Sequence, residues 1–275
     1  MDFSVLLSVY INEKPLYLDE ALSSIWDNQI SKPNEIIIVE DGELTEELYK
    51  ILDLWSSKLP LLIKRVPLEE NLGLGKALNI GLEYCTNEWV FRMDSDDICL
   101  PDRFSKQIEF ITKNPDIDIF SGSIQEIDIT TNNPIATRIV PESFQDILKY
   151  SYYRSPFNHV AVAYKKSVVQ SVGGYQHHMY MEDYNLWIRI LAAGYKAANL
   201  QDILVVVRAG DDMIGRRRGR IYIESEWQLF KLKRSLNYQP VPHALLVYFA
   251  RSIPRLLPSN LLVVIYSKLR DMKSH

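Results

Sequence analysis

Cysteine is nearly absent from this 275-residue chain: only Cys85 and Cys99 occur, both in apolar contexts and neither within a metal-ligand spacing. That excludes a disulfide-stapled scaffold and a cysteine-based metal module, and it fits two reduced core thiols in a cytoplasmic protein. Long apolar runs are missing too, and none reaches the ~20 residues of a membrane-spanning helix. The opening Met1-Asp2-Phe3-Ser4 has no basic region followed by an apolar stretch, so no secretory signal is expected. There is no excess of basic charge: 31 Lys and Arg against 35 Asp and Glu give a net charge of −4, which makes nucleic acid an unexpected partner. Internal repeats and low-complexity tracts are absent.

With 47% hydrophobic and 24% charged residues, the chain has the means to bury a substantial core. Ser4 to Tyr10 reads as a buried strand, and Leu18, Leu22, Ile25 and Trp26 follow at helical spacing. Ile36 to Val39 is a second strand ending at Glu40, Asp41 and Gly42, followed by a helix with Leu44, Leu48, Ile51, Leu52 and Trp55 on one face. Leu61 to Pro67 is a third strand, and a helix carrying Leu78 and Leu82 leads to a fourth at Trp89. This alternation predicts right-handed βαβ units, an α/β fold with a mainly parallel sheet flanked by helices. After a helix from Pro101 to about Lys113, Ile117 to Asp128 and Ile135 to Val140 read as a hairpin, so antiparallel strands join the sheet. Val160 to Tyr164 is a further strand, a helix opens at Glu182 and stops at Gly194, and Ala197 to Arg208 returns as a strand. The expected division is 1–210 as the catalytic domain, 211–240 as a basic loop and helix, and 241–275 as amphipathic C-terminal helices.

The run Trp89 to Asp97 drives an apolar strand into three carboxylates, Asp94, Asp96 and Asp97, which repel one another unless a cation is present. Asp94 and Asp96, one residue apart at a strand end, are placed to face one way and hold a hard divalent ion beside a diphosphate. The plainer alternative is a solvated acidic turn leading into the helix at Pro101 and Asp102, with Asp97 supporting that turn. Asp41 closes the second strand and reads either as a nucleoside contact or as a turn residue. Glu182 and Asp183 open a helix, where carboxylates favour the dipole, so a capping role stands beside that of a proton acceptor.

Taken in order, Ser4 to Tyr10, Glu40-Asp41-Gly42, Asn71 to Asn79, Asp94-Ser95-Asp96-Asp97 with Pro101-Asp102-Arg103, and Met181-Glu182-Asp183 before Leu186-Trp187 resemble the inverting glycosyltransferases of family 2. The resemblance covers about the first 210 residues. Asn158-His159 and the segment Arg251 to Arg270 narrow it to the amylovoran-type and O-antigen-type bacterial transferases. It implies the GT-A fold, a UDP-sugar donor (UDP-galactose or UDP-glucose) and a Mn²⁺ or Mg²⁺ ion. Ser8 and Tyr10 would line the nucleotide pocket, Asp41 would bond the base, and Lys76 would sit near the nucleotide. Asp94 would meet the ribose or the metal, Asp96 the metal, and Asp183 would be the base. The family more often has Pro and Thr at Ser8 and Val9 and Arg at Lys76. The chemistry is coherent on its own terms: a cation stabilises the departing diphosphate, a carboxylate takes the acceptor's proton, and one displacement inverts the anomeric centre.

Arg216, Arg217 and Arg218 form a basic run that is either a solvated or lipid-contacting face or a loop closing over the donor diphosphate. His177 and His178 read as loop residues near the acceptor, and His159 equally as a structural hydrogen-bonding residue; none has a metal-ligand constellation. From His243 to Met272, short apolar stretches broken by prolines alternate with Arg251, Arg255, Lys268 and Arg270. Such helices either lie in a membrane interface or pack back on the core. The resemblance implies an undecaprenyl-diphosphate-linked sugar as acceptor, at the inner face of the bacterial inner membrane. Two other classes compete: a sugar-phosphate nucleotidyltransferase, which Tyr10 to Glu13 does not suit because it is no Gly-rich basic loop, and a non-catalytic sugar-nucleotide-binding protein of the same fold.

Overall fold

The computed structural model describes residues 1–209 and 219–256. In the first half β1 (Phe3–Val9), β2 (Glu35–Glu40), β3 (Ile63–Pro67) and β4 (Trp89–Arg92) alternate with α1 (Pro15–Ile25), α2 (Glu46–Lys58) and α3 (Leu74–Tyr84). The strands pair in parallel in the order β3-β2-β1-β4. Residues alternate between two cores, as the period of a strand requires. Val5 and Leu7 join Leu22, Leu52 and Phe104 on one face, while Leu6 joins Leu78, Leu82 and Trp187 on the other. α2 is set by Thr45, whose side chain accepts the Leu48 amide, with Glu46 and Glu47 in its first turn and Lys58 in its last. Because β4 lies on the opposite side of β1 from β2, the winding reverses between β1 and β4. Open α/β sheets bind ligands at the carboxyl ends of the strands at such a reversal.

The second half supplies β5 (Ile98–Cys99), α4 (Arg103–Lys113), β6 (Ile119–Asp128), β7 (Pro134–Arg138), α5 (Phe144–Ser151), β8 (Ala163–Lys165), α6 (Lys166–Ser171), α7 (Glu182–Ala192) and β9 (Ala197–Ala209). β6 and β7 form the predicted antiparallel hairpin, β8 runs antiparallel to β4 and β6, and β9 runs parallel to β6. Val160 to Tyr164 is not one strand: a 3₁₀ turn at His159–Ala161 precedes β8. The physical reason lies in α4, where Arg103 donates to the Val160 carbonyl (3.1 Å) and Gln107 to the Ala161 carbonyl (3.1 Å), taking acceptors that a ladder would use. The helix expected from Pro101 begins at Arg103.

Beyond β9, α8 (Arg220–Ser235) docks on α7 and α9 (Val241–Ser252) packs on α8. The keystone is the buried Lys233, whose Nζ donates to the Ser151 carbonyl (3.1 Å), the Tyr152 carbonyl (2.8 Å) and the Tyr184 hydroxyl (3.0 Å). Burial and the neighbouring Arg251 push this ammonium down to about 7, while Glu226 opposes them. Glu226 also receives Arg251 Nε at 2.7 Å, joining α8 to α9. Lys233→Met keeps the length of the stem but leaves the Tyr152 carbonyl without its donor, a loss of about 1–3 kcal/mol. A fall in Tm of roughly 2–12 °C is expected by circular dichroism, and an unchanged Tm would show that the buried amine contributes nothing. Among the described residues no helix is long and apolar enough to cross a membrane.

Candidate active site

Asp41 follows β2 directly, and its amide donates to the Val9 carbonyl at 2.8 Å, so the ends of β1 and β2 stand side by side. Its buried carboxylate accepts the Leu72 amide (2.7 Å) and the Gly73 amide (3.1 Å), and Asn71 donates to its carbonyl (3.1 Å). The loop ahead of α3 is thereby wrapped onto Asp41. Gly42 permits the close approach: its φ is +85°, and a Cβ there would meet the Asn71 nitrogen at 2.7 Å. Asp41 thus fills the turn role, while each carboxylate oxygen retains a lone pair for a ligand. Around the same rim Ser8 is half-buried near the end of β1, Tyr10 is exposed just beyond it, and Lys76 is exposed in the first turn of α3.

At the end of β4, Asp94 and Asp96 are partly exposed while Ser95 and Asp97 are buried, so the two alternate carboxylates face the open side. Carboxylate oxygens of Asp94, Asp96 and Asp97 lie within 4.8 Å of one another. Burial, then Asp94 and Glu13, push the Asp96 carboxyl up to about 7; burial, Asp94 and Asp96 raise Asp97 well above the usual range. Glu13, from the loop after β1, accepts the Ser95 hydroxyl at 2.5 Å. Asp97 accepts the Arg208 amide at 3.0 Å, pinning the acidic turn to the end of β9. An all-oxygen, mutually repelling donor set suits a hard divalent cation such as Mg²⁺ or Mn²⁺.

One residue that sequence reasoning passed over is Arg92. It is buried on β4 and grips both oxygens of Asp94 through its two terminal nitrogens, and among the described residues its Nε finds no hydrogen-bond partner. Asp94 and Asp97 favour its charge against the cost of burial. The signal was present: a lone cation within Trp89 to Met93, on the same strand face as a carboxylate two residues on.

Asp183 lies in the first turn of α7, as expected, with Met181 at the cap. Burial raises its carboxyl above the ordinary value, against the Tyr184 amide and the cations of Arg138 and Arg92. Ser155 Oγ stands 3.5 Å away. The first turns of α3 and α7 abut: a Cβ at Gly75 would lie 3.6 Å from that of Glu182. Arg92 acts electrostatically on Asp183 as well as on the acidic cluster, so the buried guanidinium lies between the two.

The histidines separate. His159 meets the Tyr175 hydroxyl at 2.8 Å, and burial holds it well below its usual pKa, a neutral structural residue. His178 corrects the expectation of an acceptor contact: it is buried, bonded to the Ser225 carbonyl at 2.8 Å and to Asn185 at 3.1 Å, because α8 covers it. His177 is exposed. Arg216 and Arg217 lie outside the described residues.

The family model for glycosyl transferase family 2 matches residues 4–173, spanning Asp41, Arg92 and the acidic cluster. The chain belongs to glycosyltransferase family 2. It is 45% identical over 268 residues to the amylovoran biosynthesis glycosyltransferase AmsE of Erwinia amylovora, covering 98% of this chain and 99% of that one. It is 41% identical over 267 residues to the UDP-Gal:alpha-D-GlcNAc-diphosphoundecaprenol beta-1,3-galactosyltransferase of Escherichia coli, covering 97% and 96%. Both alignments run past the family match. In fold it is similar to the mannosyltransferase PcManGT of Pyrobaculum calidifontis, solved with GDP-Man and Mn²⁺, at a TM-score of 0.62 and 19% identity over 97% of this chain and 79% of that one. This glycosyltransferase thus has a GT-A-type architecture, a mixed, mainly parallel sheet flanked by helices with a helical C-terminal part.

Proposed function

We propose that this glycosyltransferase moves a hexose, galactose or glucose, from UDP to an undecaprenyl-diphosphate-linked saccharide in bacterial O-antigen or exopolysaccharide synthesis, with inversion and with a divalent cation. The carrying observation is the acidic cluster at the reversal between β1 and β4, coupled through the buried Arg92 to Asp183 in the first turn of α7. The name of the 41% identical Escherichia coli relative supports the donor and the lipid diphosphate acceptor. The mannosyltransferase of similar fold, solved in complex with GDP-Man and Mn²⁺, supports the cation. Asp96, assisted by Asp97 and Asp94, would hold Mn²⁺ or Mg²⁺, which supplies Lewis-acid stabilisation of the leaving diphosphate. Asp94, its oxygens already turned to Arg92, would offer its remaining lone pairs to the ribose. Ser8, Tyr10 and Asp41 would border the nucleobase, with Lys76 nearby. Arg216 and Arg217 would bring cations to the diphosphate. Asp183 would take the proton of the acceptor hydroxyl, and a single base without a second nucleophilic carboxylate gives one in-line displacement.

Action at the inner face of the inner membrane accords with α9, whose Leu246 and Phe249 are more than half exposed, as is Ile253 just beyond it. Apolar side chains exposed on one side of a helix suit an interfacial position. The functional test is a panel of UDP-sugars with a lipid-diphosphate sugar and Mn²⁺. UDP release that requires both donor and acceptor is expected, largest with UDP-galactose or UDP-glucose. Release that is unaffected by acceptor, or none with any UDP-sugar, overturns the reading.

A further inference from the structure

The loop that leads into Asp183 contains a conformation its sequence does not favour. Met181 donates its amide to the His178 carbonyl at 2.9 Å, closing a turn in which Tyr180 takes φ +63°. Glycine or asparagine occupies such a position readily, whereas a bulky aromatic residue is strained there. Strain of this kind persists where the surroundings over-determine it. Here α8 does so: Ser225 accepts His178 Nε2 on its carbonyl (2.8 Å) and donates its hydroxyl to the Met179 carbonyl (2.5 Å), and Gln228 donates to the His177 carbonyl (3.0 Å).

The result is a fixed, half-exposed tyrosine ring three residues before the proposed base. Tyr180 stacks on Tyr222 of α8 with centroids 5.9 Å apart and planes 17° apart. The guanidinium of Arg255 lies over the Tyr222 ring at 4.4 Å. Two residues from Arg255, Ile253 continues the exposed apolar side of α9 that holds Leu246 and Phe249. Along the contacts that lead away from the loop before Asp183, an aromatic ring is followed by a cation and, two residues away, by an exposed apolar face. A lipid-linked saccharide presents the complementary series: a sugar with apolar C–H faces, a diphosphate and a hydrocarbon chain.

We propose that Tyr180 and Arg255 form the acceptor subsite, with the acceptor sugar on the Tyr180 ring and the lipid diphosphate at the Arg255 guanidinium. This rests on the functional reading above, since it takes the acceptor to be a lipid-diphosphate saccharide. The test uses the full chain with two acceptors, a short-tailed lipid-diphosphate N-acetylglucosamine and an alkyl glycoside of the same sugar without the diphosphate. Tyr180→Gly keeps the turn and removes the ring, so acceptor KM is expected to rise roughly tenfold with both acceptors, the scale of one aromatic contact. Donor KM stays native, and Tm stays near native because relief of the strained turn offsets the lost ring contact with Tyr222. Tyr180→Phe restores the native acceptor KM. Arg255→Gln raises KM for the diphosphate acceptor alone. Native transfer with an unmoved acceptor KM in Tyr180→Gly, or an equal effect of Arg255→Gln on both acceptors, overturns the subsite by itself. Failure of the native chain on both acceptors overturns the functional reading and the subsite with it.

Discussion

Asp183→Asn is expected to lower kcat by about 10²- to 10⁴-fold while the chain still binds its UDP-sugar and stays folded, the range that a positioned proton acceptor supplies. The substitution preserves shape and removes only the ability to take a proton. Its effect on stability is small, because a carboxylate in the first turn of α7 contributes about 0.3–1 kcal/mol through the helix dipole. That separates it from a folding defect. The pH profile gives an independent check. Burial lifts the Asp183 carboxyl above its ordinary value, and the base must be ionised to act, so kcat falls as pH drops through that raised value. The acid limb of native kcat therefore lies above the usual carboxylate range, and the residual activity of Asp183→Asn lacks it. Isothermal titration with UDP-sugar, alongside single-turnover transfer at several pH values, measures both. Native turnover in Asp183→Asn would remove the residue from the chemistry.

The parallel half of the fold was readable because strands buried on both faces leave continuous runs such as Ile36 to Val39, bounded by turn residues and followed by helices with a single apolar face. Strand ends were legible for the same reason, and with them the places of Asp41, Asp94 and Asp96. Short elements were not: α5 and α6 span 8 and 6 residues, too few for periodicity to declare itself. The 3₁₀ turn at His159–Ala161 depends on side chains of α4 more than 50 residues away, which no local pattern reports. His178 carries the same lesson, since its burial is decided by α8, 47 residues later. Tyr180 is a still harder case: positive φ is signalled in sequence by glycine or asparagine, and neither is there. Arg92 is different in kind. Its pairing with Asp94 follows from the two-residue repeat of a strand and could have been read from spacing alone, but the carboxylates drew attention away from the cation that holds one of them.

That pairing divides the acidic cluster into two classes of residue with opposite responses to substitution. Asp96 stands with Asp94, Glu13 and Asp97 and is bonded to no other side chain among the described residues, so its charge works against the cation-free fold. Asp96→Asn is expected to raise the Tm of the cation-free protein by about 2–4 °C, the shift of roughly 1 kcal/mol in a chain of this size. The same change removes a carboxylate that no side-chain cation holds, so the rise in Tm that Mn²⁺ with UDP gives the native chain disappears and transfer falls by about 10²- to 10³-fold. Asp94→Asn has the opposite sign in the cation-free state. It strips the buried Arg92 of its bidentate partner and leaves the guanidinium with only more distant carboxylates such as Asp97, a loss on the order of 3 kcal/mol for a buried pair, reduced because Asp94 is one-third exposed. Differential scanning fluorimetry of both variants, with and without Mn²⁺ and UDP, reads the two signs directly. Equal destabilisation by both would mean that Arg92 serves the cluster as a whole. A higher Tm in Asp96→Asn beside a lower Tm in Asp94→Asn identifies Asp94 as the carboxylate fixed by the fold and Asp96 as the one kept, at a cost in stability, for the leaving diphosphate.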